Sequence, residues 1–384
     1  MQNFIFFNDT KYVFGKGQIA RLSELVPPKT KLLVVYGGGS VKKNGVYDQV
    51  KAALKGFEYT EFWGVHSNPD VDTVRSAAAE GLLFGAQMVL GVGGGSVADA
   101  VKFIAAAIAD PFADIWDMAK GAKAKQVPFA CVMTMPATGS EMNNGAVLSN
   151  NATKEKLGTF RGDYPRFSIV DPEVVRSVPL YQRANALADA YVHVLEQYVT
   201  TPGQNRILDR WAEGVLSSLR EISADAMKED PTYDTLCDYA YAMTMALNNF
   251  LRMGITQDWA THQIGHQITA YAGVTHGESL TMVWSALADT LRGQKHAKLL
   301  QYAERVLNIR AKDEPDEEKR IDAALKETDA WFKSLGLATS LKEKGLGMDV
   351  VDFVEKRFND YGAHYGEGKN VDGAMARKIL LKRL

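Results

Sequence analysis

The sequence predicts an α/β fold joined to an all-α one: a Rossmann-like parallel sheet followed by a helical domain. Three observations predict it. Short β-branched runs alternate with helical patterns through the first half of the chain. Strand signals stop after "IVDPEVV". From about Gln182 onward nearly every segment carries helical periodicity. Residues 1–181 are therefore expected to form a dinucleotide-binding domain, and residues 182–384 a helical one that supplies metal ligands.

Taken in order, "FIFFNDTKYVFGKG" alternates aromatic residues around "NDT" and is expected as an N-terminal β-hairpin. "KLLVVY", "MVLGV", "FACVMTM" and "FSIVD" are β-branched or aromatic, bounded by Gly, Pro or Asp, and short enough for strands. Between them "VYDQVKAALKG", "VDTVRSAAAEGLLFGA" and "VADAVKFIAAAIA" read as helices. Such near-continuous apolar strands imply a parallel sheet covered on both faces. Beyond the boundary, "ALADAYVHVLEQYV", "RILDRWAEGVLSSLREI", "DYAYAMTMALNNFLRM", "ESLTMVWSALADTL", "HAKLLQYAERVLNI" and "RIDAALKETDAWFKSLG" are helical, and "AKDEPDEEKR" is a charged loop.

Composition narrows the function classes. Apolar residues make up 46% and charged residues 23% of 384 residues, which is globular. Lysine plus arginine (44) nearly balances aspartate plus glutamate (46), so nucleic acid is not an expected partner. The N-terminus lacks the pattern of a signal peptide, and no apolar run approaches the ~20 residues of a membrane span. Two scattered cysteines, Cys131 and Cys237, make neither a disulfide framework nor a thiolate site. A cytoplasmic protein is expected, and any metal must be held by nitrogen and oxygen.

Two glycine loops stand at strand ends. "YGGGS" covers Tyr36, Gly37, Gly38, Gly39 and Ser40; "GVGGGSVADAVK" runs from Gly91 to Lys102 and opens into a helix. Glycine lets the backbone approach a phosphate, and helix N-terminal N–H groups favour an anion. Gly93 to Ser96 thus mark a ligand crevice in an open parallel sheet. "GKGQIA" also fits a dinucleotide pattern, but follows the expected hairpin and reads as a turn. Enzymes preferring NAD place an acid after an early strand to bind the ribose 2′-hydroxyl. The first loop has none, and offers Ser40, Lys42 and Lys43 instead, so NADP(H) is the expected cofactor.

"DAYVH" sets Asp189 and His193 four apart on one helical face, and "HQIGH" does the same for His262 and His266, with His276 following in "VTHGES". These five candidates carry one carboxylate, a set suited to Fe²⁺ or Zn²⁺. Gln263 stands where a zinc protease of HExxH type needs glutamate, which excludes that reading. Spacing alone does not say which four ligate. Trp259 and Met253 flank the stretch and read as helix-packing residues or, alternatively, as walls of an apolar pocket.

Together "GGGSVADAVK", "PATGSE", "IVDP", "DAYVHVLEQY" and "HQIGHQITAYAGVTHG" resemble the iron-containing (group III) alcohol dehydrogenases. "YGGGSVKKNG" is similar to their NADPH-dependent aldehyde reductase and butanol dehydrogenase branch. The resemblance implies a dehydroquinate synthase-like fold and one divalent metal, Fe²⁺ or Zn²⁺, on Asp189, His193, His262 and His276. It places His266 near the nicotinamide, where it is the candidate proton relay, one helical turn from His262. It matches Gly94, Gly95 and Ser96 to the pyrophosphate loop, and Thr138, Ser140, Asp99, Lys156 and Gly37–Ser40 to further cofactor positions. The implied reaction is hydride transfer between NADP(H) and small aliphatic aldehydes or alcohols by a homodimer. The alternatives are an NAD-dependent polyol dehydrogenase and a lyase of the dehydroquinate synthase type.

Overall fold

The computed structural model describes residues 1–384, the side chain of Thr159 apart. The chain divides into two compact units: a sheet unit of Phe7–Val178 with Asp230–Thr244, and a helical unit of Met1–Phe6, Pro179–Glu229 and Met245–Leu384. The division is interleaved rather than a single cut.

The sheet unit holds β1 (Lys11–Phe14), β2 (Leu32–Tyr36), β3 (Tyr59–Phe62), β4 (Met88–Gly94), β5 (Phe129–Met135), β6 (Gly145–Asn150), β7 (Glu155–Arg161) and β8 (Phe167–Val170). Six of them form one parallel sheet in the order β1-β8-β5-β4-β2-β3; β6 and β7 pair antiparallel beside it in sequence. The chain leaves β2 for the edge strand β3, returns to β4, and then proceeds the other way through β5 and β8. Its direction reverses at β2 and β4, and a crevice opens at the carboxyl ends of such strands. Leu32, Val34, Tyr36, Leu90, Val92, Val132 and Ile169 form a core with Ile19, Leu22, Val46 and Val50. The Val71–Phe84 helix starts where Asp70 accepts the N–H groups of Asp72 and Thr73, and stops at Gly85, whose φ is 74°.

The expected N-terminal hairpin is not found. Met1–Thr10 form no strand, and β1 pairs parallel with β8. The Asn8 side chain accepts from the Thr10 N–H at 3.1 Å and donates to the Met142 carbonyl at 2.8 Å. "NDT" is an Asx-type entry into β1, and not the tip of a hairpin. Gly15 and Gly17, with φ of 131° and 74°, turn the chain after β1 as expected of "GKGQIA".

In the helical unit the Leu180–Tyr198 helix is buried on nearly every side from Arg183 onward, as a central helix must be. The Ala260–Ala272 helix carries two stripes of period four. Ala260, Ile264 and Ile268 enter a core with Val350, Val351, Val354 and Phe358. His262 and His266 lie on the other stripe. Gly273, at φ 67°, ends the helix, so His276 can start the next one, His276–Thr281. A Cβ on Gly277 would lie 2.2 Å from the Asn185 carbonyl oxygen. Only glycine lets this short helix approach Leu180–Tyr198 closely enough to bring His276 toward Asp189. No helix among the described residues is long and apolar enough to cross a membrane.

Candidate metal and cofactor sites

Asp189 is the centre of the helical unit's cluster. Its Oδ1 lies 3.4 Å from His193 Nδ1, 3.5 Å from His262 Nε2 and 3.6 Å from His276 Nε2. Donors sharing a tetrahedral ion at bonds of about 2.1 Å stand about 3.4 Å apart. Asp189, His262 and His276 each offer an atom within 4.8 Å of the other two; His193 reaches Asp189 but stands beside this set. Asp189 Oδ1, His193 Nδ1 and His262 Nε2 are all buried and have no hydrogen-bond partner. Leaving such groups unsatisfied is costly, and one divalent cation would satisfy all three. The residues fit a metal. His266 is buried one turn along, its ring centroid 5.0 Å from that of His276 and 6.3 Å from that of His262.

Electrostatics sort the imidazoles. Burial lowers His193 to about 4, with Asp189 resisting. For His262 burial pulls the same way, but the Glu196 carboxylate and Asp189 outweigh it and hold the ring at about 9. Glu196 bonds His262 Nδ1 with one oxygen and accepts the Thr261 N–H at 2.6 Å with the other. That contact turns Nε2 toward Asp189 and, with a metal taking Nε2, would keep the remaining proton on Nδ1, the usual role of a carboxylate behind a ligating histidine. Glu196 is not among the residues that the ligand spacing singles out. It falls seven residues after Asp189 on the same helical face, so "DAYVHVLE" carried the signal.

In the sheet unit, the loops singled out by their glycines lie at adjacent carboxyl ends: Gly37–Ser40 after β2, Gly94–Ser96 after β4, and "PATGSE" after β5. A Cβ on Gly95 would lie 2.8 Å from Thr138 Oγ1, so the second loop and "PATGSE" pack without side-chain room between them. Gly38 and Ser40 are exposed, and Lys42 Nζ lies 3.9 Å over the Trp63 ring.

Asp99 and Ser140 face inward. Ser140 Oγ donates to Asp99 Oδ1 at 2.6 Å and accepts from Lys102 Nζ at 2.7 Å. Asp99 Oδ2 accepts the Val147 N–H at 3.0 Å. Lys102, fully buried, also donates to Asn143 Oδ1 at 3.1 Å and the Gly145 carbonyl at 2.5 Å. Burial lowers it to about 8 despite Asp99. These two candidates are thus bonded into a buried network through Lys102, the last residue of "GVGGGSVADAVK" and not itself a candidate by motif. Lys156 Nζ, also buried, donates to Asn68 Oδ1 at 2.8 Å, in the turn after β3.

Such a crevice and such a cluster belong to a class of metal-dependent dehydrogenase. The chain is a member of the iron-containing alcohol dehydrogenase family: the family's model "Iron-containing alcohol dehydrogenase" matches residues 9–172, and "Fe-containing alcohol dehydrogenase family, C-terminal" matches residues 183–361. It is 42% identical to the NADPH-dependent aldehyde reductase YqhD of Escherichia coli, over 99% of both chains. A crystal structure of the Escherichia coli protein matches with a TM-score of 0.96, covering 100% of this chain and 99% of that one. A probable NADH-dependent butanol dehydrogenase 1 of Bacillus subtilis is 34% identical over 99% of both chains.

Proposed function

We propose that this chain is an NADPH-linked alcohol dehydrogenase and aldehyde reductase acting on small aliphatic substrates, with one divalent metal. The observation that carries the reading is the convergence of three unpartnered buried donor atoms, on Asp189, His193 and His262, in a family whose Escherichia coli relative is an NADPH-dependent aldehyde reductase. The acid-free loop Gly37–Ser40, with Lys42 and Lys43 behind it, supports the 2′-phosphate of NADPH over the bare ribose of NADH.

Asp189, His193, His262 and His276 would hold the ion, Fe²⁺ or Zn²⁺. Bound there, the ion would supply Lewis acidity to a carbonyl oxygen, and a bound reduced nicotinamide would supply the hydride. The protein's own contribution is orientation and dryness. Glu196 fixes the tautomer of His262, and burial of the cluster keeps water from weakening the field at the carbonyl. His266 is the group proposed to pass the proton that the product alcohol requires. Gly94, Gly95, Ser96 and Gly37–Ser40 are proposed to meet the cofactor through backbone, and Thr138 and Lys156 to line it. Asp99 and Ser140, bonded to each other, are proposed to support the cofactor side of the sheet unit through Lys102 and the Val147 N–H.

Exposed Phe4, Ile5, Phe6, Trp211 and Phe250 give the helical unit an apolar patch, which supports the proposed homodimer. Cys131 and Cys237 are both free thiols, in keeping with the proposed cytoplasmic location. The test is loss of reduced-nicotinamide absorbance with butanal, before and after chelation and return of Fe²⁺ or Zn²⁺. Metal-dependent oxidation of NADPH, faster than of NADH, is expected. Bound metal and nucleotide without turnover of any aldehyde would overturn the reading in favour of a lyase.

A further inference from the structure

We propose that Trp259 is the specificity-determining wall of the carbonyl site, held beside the metal-side imidazoles by a strained turn and a hydrogen-bond relay. The proposal rests on the reading of the cluster as a carbonyl-reducing centre. Trp259 precedes the Ala260–Ala272 helix with φ 68° and ψ 2°, in the left-handed region that a bulky side chain disfavours. Strain of this kind persists only where the surroundings over-determine it, and it gathers at functional sites.

The surroundings do over-determine it. Asp258 accepts the Ala260 N–H at 2.8 Å and donates its own N–H to the Glu196 carbonyl at 2.9 Å. Its second oxygen pairs with Lys295, which also donates to Glu367 at 2.8 Å and to the Val199 carbonyl at 3.0 Å. All three charged side chains are buried. The indole is oriented separately. Its Nε1 donates to Gln257 Oε1 at 2.8 Å; Gln257 donates to Gln197 Oε1 at 3.3 Å; and Gln197 donates to the His193 carbonyl at 2.8 Å. The ring's rotation is thereby tied to the helix that carries Asp189 and His193.

The outcome is an indole whose ring centroid lies 5.3 Å from that of His262 and 5.9 Å from that of His193, edge to face with both, and only half-buried. A flat, fixed, apolar surface beside the ligands admits a slim acyl chain and collides with one branched next to its carbonyl. A buried indole N–H ordinarily finds a partner, but packing alone does not call for the strained backbone.

The experiment compares kcat/KM for butanal and for an α-branched aldehyde in the metal-loaded enzyme with NADPH. The wild type should prefer the unbranched aldehyde. Trp259→Ala should raise the branched-to-unbranched ratio by about tenfold or more, the scale on which a hydrophobic pocket discriminates small changes in shape. Trp259→Phe, which keeps a flat ring, should move it less. A ratio in Trp259→Ala equal to that of the wild type overturns the proposal. If that variant does not fold, Gln257→Leu, which frees the indole without removing it, must shift the ratio in the same direction or the proposal fails. Metal-free protein gives an independent reading: Co²⁺ should quench tryptophan emission, and Trp259→Phe should lose much of that quenching. Quenching unchanged in Trp259→Phe overturns the placement. A wild type that shows the quenching yet turns over no aldehyde overturns the dehydrogenase reading, and the selectivity with it.

Discussion

The crevice of the sheet unit and the cluster of the helical unit treat buried polar groups in opposite ways. Beneath the glycine loops, Asp99, Ser140, Lys102 and Asn143 satisfy one another, and what faces outward is mostly backbone. Around Asp189, its own Oδ1, His193 Nδ1 and His262 Nε2 converge and are left without hydrogen-bond partners, while the far nitrogen of His262 is tied down by Glu196. A closed network is a support; an open one is a donor set. Residue type alone does not separate the two, since an aspartate is central to each.

This contrast can be broken most sharply at Asp189. Asp189→Ala should lower turnover by about 10³-fold or more, because polarisation by a metal is worth several kcal/mol and each ~1.4 kcal/mol is tenfold. Metal content should fall to background with the circular dichroism spectrum kept. Retained metal would make the cluster a structural knot. Lys102→Met attacks the closed network instead. It strips Asp99 and Ser140 of a buried cation and should destabilise folding by about 3 kcal/mol in urea denaturation. It should also raise the KM for NADPH while metal content stays full, and a loss of metal would erase the distinction between the two networks.

Glu196→Ala sharpens the same line inside the cluster. It removes no proposed ligand, yet metal affinity should drop about 10- to 100-fold in competition with a chelator, because the His262 tautomer and ring orientation are released. The smallest effect concerns pH. Burial holds Lys102 at about 8, below its ordinary value of 10.5. Between those values the unfolded chain binds a proton that the folded chain has shed, so this residue's contribution to stability rises with pH there and its penalty is full below about 8. Wild-type stability should therefore rise relative to Lys102→Met as alkaline pH is approached, and a relative fall would reverse the assignment.

Much of this was legible in sequence, for reasons that differ by unit. β2, β4, β5 and β8 announce themselves as apolar runs because a sheet covered on both faces leaves no polar alternation. β3, with "YTEF", and the β6–β7 pair carry no such run. The spacings of Asp189 with His193, and of His262 with His266, follow from helical geometry and needed no tertiary information. Lys102 was not legible, since nothing local distinguishes a buried lysine on an apolar helix from a solvated one. Nor was the conformation of Trp259: left-handed backbone is signalled by glycine or asparagine, and here distant Lys295 and Glu367 help to impose it on a tryptophan.

The interleaving of the two units also bears on how the protein is made. The chain passes between them four times, and the segment Asp230–Thr244 returns to the sheet unit after the helical unit has begun. On the ribosome, β1 must wait for β8, and the sheet unit stays incomplete until Thr244 has emerged, while the chain that began the helical unit waits for its C-terminal helices. Neither unit is a contiguous cassette, so a cut after residue 181 would yield a sheet unit short of one of its own helices and would be expected to aggregate.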